Sequence, residues 1–159
     1  MKAVVIYDSQ YGNTRQLAEA IAAELEAAGA VQIENARNEA LSLPADMTLL
    51  VVGGPTQVHH VSPPLRAQLD TIPRHALDGI PAATFDTRVG GPRLFTGAAS
   101  RGIAKQLKQR GARLVVQPAS FLVEGREGPL VEGEIERARV WARDILATLA
   151  PNSLLTAHA

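Results

Sequence analysis

Residues 3–25 read AVVIYDSQYGNTRQLAEAIAAEL, and the fold turns on how this stretch is divided. Ala3 to Tyr7 is a continuous apolar run rich in β-branched residues, the pattern of a parallel strand buried on both faces. The run stops at Asp8-Ser9-Gln10-Tyr11-Gly12-Asn13-Thr14, and a helical pattern begins at once. Leu17, Ile21, Leu25 and Ala28 share one face of that helix, and Gly29 ends it. Two readings of the connecting loop stand side by side. Asn13 or Thr14 can cap the helix and Gly12 can make the turn. Alternatively, the free amides of the helix start, with the hydroxyls of Ser9 and Thr14 and the amide of Asn13, cradle an anion.

Working outward, the strand-then-helix pattern recurs. Val31–Glu34 alternates like a half-exposed edge strand. Residues 47–52 form a third strand, broken by Gly53-Gly54-Pro55. Ser62 before Pro63-Pro64 reads as an N-cap and first turn of a helix reaching about Thr71. Residues 82–85 make a fourth strand, and a glycine-rich loop leads to a helix over 99–110, closed by Gly111. Leu114–Val116 is the fifth strand, interrupted by Pro118, with Phe121–Val123 as a separate short piece. The last helix covers 132–149, its core stripe running through Ile135, Ala138, Ala142, Ile145 and Leu149, and Pro151 stops it.

The order predicts an α/β chain with three layers, a five-stranded parallel sheet in order 2-1-3-4-5 and helices on both faces. Residues 1–150 form the domain and 151–159 a tail. In such sheets ligands sit beyond the carboxyl ends of the strands, where the strand order reverses. Three loops meet there: Asp8–Thr14, Gly53–Val61 and Asp86–Thr96.

Composition narrows the function classes. The 159 residues carry 16 basic and 16 acidic side chains, so the formal net charge is zero. The balance is uneven, however. Residues 1–60 hold three basic and seven acidic groups, whereas 61–113 hold nine basic and three acidic. The second segment reads either as solvated helix faces or as a positive rim for an acidic ligand or partner. It lacks the interleaved aromatics of a nucleic-acid surface. The absence of cysteine excludes a disulfide framework, a thiolate metal site and a cysteine nucleophile. No apolar run is long enough to span a membrane, and Met1-Lys2 enters the first strand directly, so the expectation is a cytoplasmic protein with no targeting segment. Neither a P-loop nor a dinucleotide fingerprint is present. A phospho-acceptor domain would need an Asp after strand 3, where Gly53-Gly54-Pro55 stands.

Ser9-Gln10-Tyr11-Gly12-Asn13-Thr14 is similar to the flavodoxin phosphate loop, Thr/Ser-x-Thr/Tyr-Gly-x-Thr. The helix after it, the LLVVGGPTQ segment and the LDGIPAATFDTR segment extend the likeness over nearly the whole chain. The sequence therefore resembles the flavodoxin-like family, of the flavodoxin/nitric oxide synthase type. The resemblance implies non-covalent FMN, with its phosphate on Ser9, Gln10, Tyr11, Gly12, Asn13 and Thr14. The ring and ribityl chain would meet Pro55, Thr56, Gln57, Val58, His59, His60, Asp86, Thr87 and Arg88, with Phe95 in the third loop. It implies electron transfer with redox partner proteins and no catalytic residue or metal. A small quinone-reductase type of enzyme and an interaction module without FMN are the alternatives.

The chain departs from the family in three ways. It is not acidic, its second loop offers no large aromatic, and no glycine stands between Pro55 and Ser62. Trp141 and Phe121 are expected in the core. His59-His60 reads either as a titrating pair beside the ring or as exposed loop histidines. Arg88 reads as a site residue, and Arg93 as a mobile surface arginine.

Overall fold

Alternate residues of the first strand serve two separate cores. In the computed structural model, which describes residues 1–38, 40–58, 60–91 and 98–151, β1 (Lys2–Tyr7) lies inside the sheet. Its Ala3, Val5 and Tyr7 face one layer of helices while Val4 and Ile6 face the other. Burial on both faces is what a continuous apolar run requires.

The elements follow as α1 (Asn13–Leu25), β2 (Ala30–Asn35), β3 (Leu49–Gln57), β4 (His60–Val61), α2 (Pro63–Asp70), β5 (Pro81–Val89), α3 (Ala99–Gln109), β6 (Arg113–Leu114), β7 (Ala119–Val123) and α4 (Glu134–Leu149). The parallel order is β2-β1-β3-β5-β6, with β7 pairing β5 beyond β6 and β4 turning back antiparallel on β3. β6 and β7 together are the interrupted fifth strand, so the predicted order 2-1-3-4-5 is the observed one. α1 and α4 cover one face around Leu17, Ile21, Phe85, Phe121 and Ile145. α2 and α3 cover the other around Leu50, Val52, Leu65, Leu69, Ile103 and Leu107. Trp141 packs edge-on against Phe85 and Phe121, with ring centroids 5.9 and 6.1 Å away. Both Phe121 and Trp141 therefore serve the core, as expected.

Two strands run further than the sequence suggests. β3 does not stop at Gly53-Gly54-Pro55 but continues to Gln57. Gly53 stays in the strand because a Cβ there would lie 2.2 Å from the Phe85 ring, and at Gly54 it would lie 2.8 Å from a Leu65 methyl. These glycines are close-approach residues rather than breakers. β5 likewise continues through Asp86, Thr87 and Arg88 to Val89, drawn out by its pairing with β7. The first four residues of the expected third loop, Asp86–Val89, are thus strand. Arg93, Phe95, His59 and the tail from 152 lie outside the described residues.

Candidate functional site

The carboxyl ends of β1, β3, β5 and β7 surround a cleft of about 510 Å³. Its floor is the start of α1. Gly12 takes a left-handed conformation, φ +92°, in which a Cβ would touch nothing, so its glycine is required by backbone rather than by space. The Gly12 N–H donates to Ser9 Oγ at 3.1 Å, which closes the loop on itself. No side chain caps α1. The first intrahelical bond runs from Gln16 N–H to Gly12 O, so the amides of Asn13, Thr14 and Arg15 have no helical acceptor.

Thr14 and Thr87 are buried and share a hydrogen bond of 3.1 Å in which either hydroxyl is able to donate. The contact ties the α1 start to the end of β5. Asn13 Nδ2 donates to Glu127 O at 3.2 Å, and Gly128 passes so close that a Cβ would lie 2.6 Å from Asn13 Oδ1. The segment after β7 is thereby drawn to the same end of the cleft, where Arg126 joins the wall.

The mouth is different in character. Tyr11, Val58 and Val89 line it, and all three are exposed although large and apolar. Val58 is 85% exposed at the tip of the β3–β4 hairpin. Its φ of +45° is a backbone region that β-branched residues avoid. Opposite, Arg88 Nη1 donates to Gly91 O at 2.9 Å. One end of the cleft thus presents hydroxyls and helix-start amides that lack helical acceptors, the other apolar surface. An elongated ligand with an anionic head and a flat apolar body suits that gradient.

Most residues expected at the site meet here: Ser9, Gln10, Tyr11, Asn13, Thr14, Pro55, Thr56, Gln57, Val58, Thr87 and Arg88 line the cleft, with Gly12 in its floor loop. Asp86 does not. It points to the opposite face of the sheet, fully buried, where Asp86 Oδ2 accepts the Ser100 N–H at 2.8 Å. The Ala99 N–H is taken by Thr56 Oγ1 at 3.0 Å. Asp86 and Thr56 thus cap α3 from two strands, in place of Ala98, which has no capping side chain. Burial pushes the Asp86 carboxyl above the usual range, and the Ser100 amide and neighbouring groups offset this only in part. Asp86 Oδ1 and the register-paired Ser120 Oγ make no hydrogen bond of good geometry.

His60 also departs from the cleft, opening instead onto a second groove between α2 and α3. Sequence reasoning placed the Asp86–Thr96 loop at the site without singling out Val89, and it missed Val123 and Arg126. The rule that ligands sit beyond strand carboxyl ends covers the fifth strand too, and that signal was available for the segment after Val123.

The flavodoxin family model matches residues 5–141. No curated protein sequence gives a significant match. Among solved structures, oxidised flavodoxin 1 from Bacillus cereus superposes with a TM-score of 0.79 at 19% identity, over 94% of this chain and all of that one. The flavodoxin of Streptococcus pneumonia TIGR4 gives 0.77 at 15% identity, over 92% and 99%. A flavodiiron core from Synechocystis gives 0.69 at 19% identity, over 94% of this chain but 36% of that longer one. At these identities the structures establish a shared fold.

Proposed function

This chain belongs to the flavodoxin family, and we propose that it binds FMN non-covalently and passes electrons between redox proteins. The observation that carries the reading is the two-ended cleft, amide- and hydroxyl-rich at the α1 start and apolar at Tyr11, Val58 and Val89. FMN, when bound, supplies reversible redox chemistry that the side chains themselves lack.

The residues have separable tasks. The free amides of Asn13, Thr14 and Arg15 and the hydroxyls of Ser9, Thr14 and Thr87 would hold the phosphate, aided by the positive end of the α1 dipole. Arg126 would add charge from the segment that Asn13 anchors through Glu127 O. Pro55, Thr56, Gln57 and Val58 would form one wall beside the ring, with Arg88 and Val89 opposite. Tyr11 offers the one exposed aromatic face on the cleft among the described residues.

The test is a titration of apo-protein with FMN, followed by quenching of flavin fluorescence. Thr14→Ala removes a hydroxyl facing a charged group, an interaction worth about 1.5–3 kcal/mol. It should weaken FMN binding about 10- to 100-fold. Riboflavin, which has no phosphate, should bind both proteins alike. Absence of saturable quenching by the wild type overturns the reading.

A further inference from the structure

The two helical layers treat their cations differently. On the α1/α4 side every arginine is paired: Arg15 with Glu19, Arg137 with Glu134, Arg139 with Glu136, and Arg143 with Glu24 and Glu136. On the other side, α2 and α3 carry Arg66, Arg101, Lys105 and Lys108 against Asp70 alone. Asp70 is already engaged by Arg110 at 3.6 Å. Among the described residues none of those four cations enters an ion pair.

Their arrangement is ordered. Arg101, Lys105 and Lys108 stand at i, i+4 and i+7 on the exposed side of α3, a stripe about 10 Å long at 1.5 Å per residue. Arg101 and Lys105 are like charges at i, i+4, which disfavour an isolated helix, so that pair brings the lone chain no stability, while Lys108 in the last turn complements the helix dipole. Arg66 and Lys105 line a groove of about 420 Å³ together with His60, and on the other flank of Lys105 the Arg101 and Lys108 side chains stand beside Gln117 and Pro118. Gly102 sets α3 hard against β4, since a Cβ there would lie 3.1 Å from a Val61 methyl. The basic stripe is therefore seated beside the hairpin whose tip, Val58, forms the cleft mouth.

We propose that this face docks an acidic protein, which exchanges electrons at the adjoining cleft. The exchange rests on the FMN reading, whereas the docking does not. Four unpaired cations on two helices address several carboxylates at once, whereas a single small anion needs convergence on one point. Neither helix contains an aromatic residue, so the stacking platforms of a single-strand nucleic-acid surface are missing.

The experiment uses the full chain, 15N-labelled, titrated with deca-L-glutamate as the acidic probe and with a 12-base-pair DNA duplex and pyrophosphate as competitors. Amide shifts should map to α2, α3 and β4 and fade between about 50 and 300 mM salt, as the screening length shortens. The double variant Arg66→Glu/Lys105→Glu should lose at least tenfold in deca-glutamate affinity. Arg139→Glu/Arg143→Glu, on the opposite layer, should not. FMN titration of each variant runs in parallel, so a failure of flavin binding is read apart from a failure of docking. Shifts on α1 and α4, affinity indifferent to the Arg66/Lys105 reversal, or tighter binding of the duplex or pyrophosphate through the same residues would each overturn the proposal.

Discussion

Asp86 shows how much one side chain can be misplaced by a sequence that names it correctly as special. It stands at the carboxyl end of β5, next to Thr87, and the two point to opposite faces because strand periodicity is two. Thr87 reaches the cleft, and Asp86 takes the α3 amide instead. Its folded pKa is raised by burial, so the neutral acid is the form the fold prefers. The contribution to stability is complete below the unfolded pKa and is lost as pH rises through the folded one. Asp86→Asn, neutral at every pH, should therefore gain on the wild type as pH climbs from about 4 toward neutrality. Urea midpoints at several pH values check this, and a constant difference would show that the Asp86 pKa is the same in the folded and unfolded chain.

At the level of elements, α4 is joined to β7 by hydrogen bonds and a cation–ring contact. Glu134 Oε2 accepts the Leu122 N–H at 2.7 Å, and Arg137 Nε donates to Glu134 Oε1 at 2.9 Å. Arg137 also donates to Ser120 O and lies 4.5 Å over the Phe121 ring. Burial alone would push Glu134 up, but the Arg137 and Leu122 hydrogen bonds and the Arg137 charge together hold it below the usual value. Here the sign is reversed: the stability is present above the unfolded pKa and is lost as pH falls through the folded one. Glu134→Gln should cost about 1–3 kcal/mol at neutral pH, with the difference from wild type closing below about pH 4. Denaturant unfolding at pH 7 and pH 3 measures both limits. Helices were the more legible elements, since their stripes and stops are local: Pro63-Pro64, Gly111 and Pro151 mark ends, and Gly29 closes a 3-10 turn, Glu26–Ala28, that follows α1. Strand ends were not. Gly53-Gly54 looks the same in sequence whether it breaks a strand or admits the Phe85 ring, and only the neighbouring strand decides between them.

For the whole molecule, the first loop made the switch-point cleft legible, because its glycine, its hydroxyls and the helix start are contiguous in the chain. The contributions of Val89, Val123 and Arg126 depend on where β7 pairs, which no local pattern states. The cleft also joins four strand ends to the α1 start, so a ligand held there should brace the fold. With FMN at 100 times its Kd, the linkage is worth about 2.7 kcal/mol, or a rise in Tm on the order of 5–10 °C for a domain of this size. A calorimetric scan with FMN, against riboflavin as the phosphate-free control, should show the larger shift for FMN. Among the described residues, no helix is long and apolar enough to cross a membrane.

Neutrality overall does not make the molecule electrically plain. Acidic groups gather on the part of the chain that forms β1, α1 and β2, while the unpaired cations sit on α2 and α3 toward the other edge of the sheet. Such a body has no formal net charge but an uneven spread of charge, and so a dipole. At a distance it is hardly pulled toward a charged surface, but inside a screening length it feels a torque. It turns before it touches. A chain built this way spends few of its collisions facing the wrong way, and adding salt costs it orientation before it costs it contact.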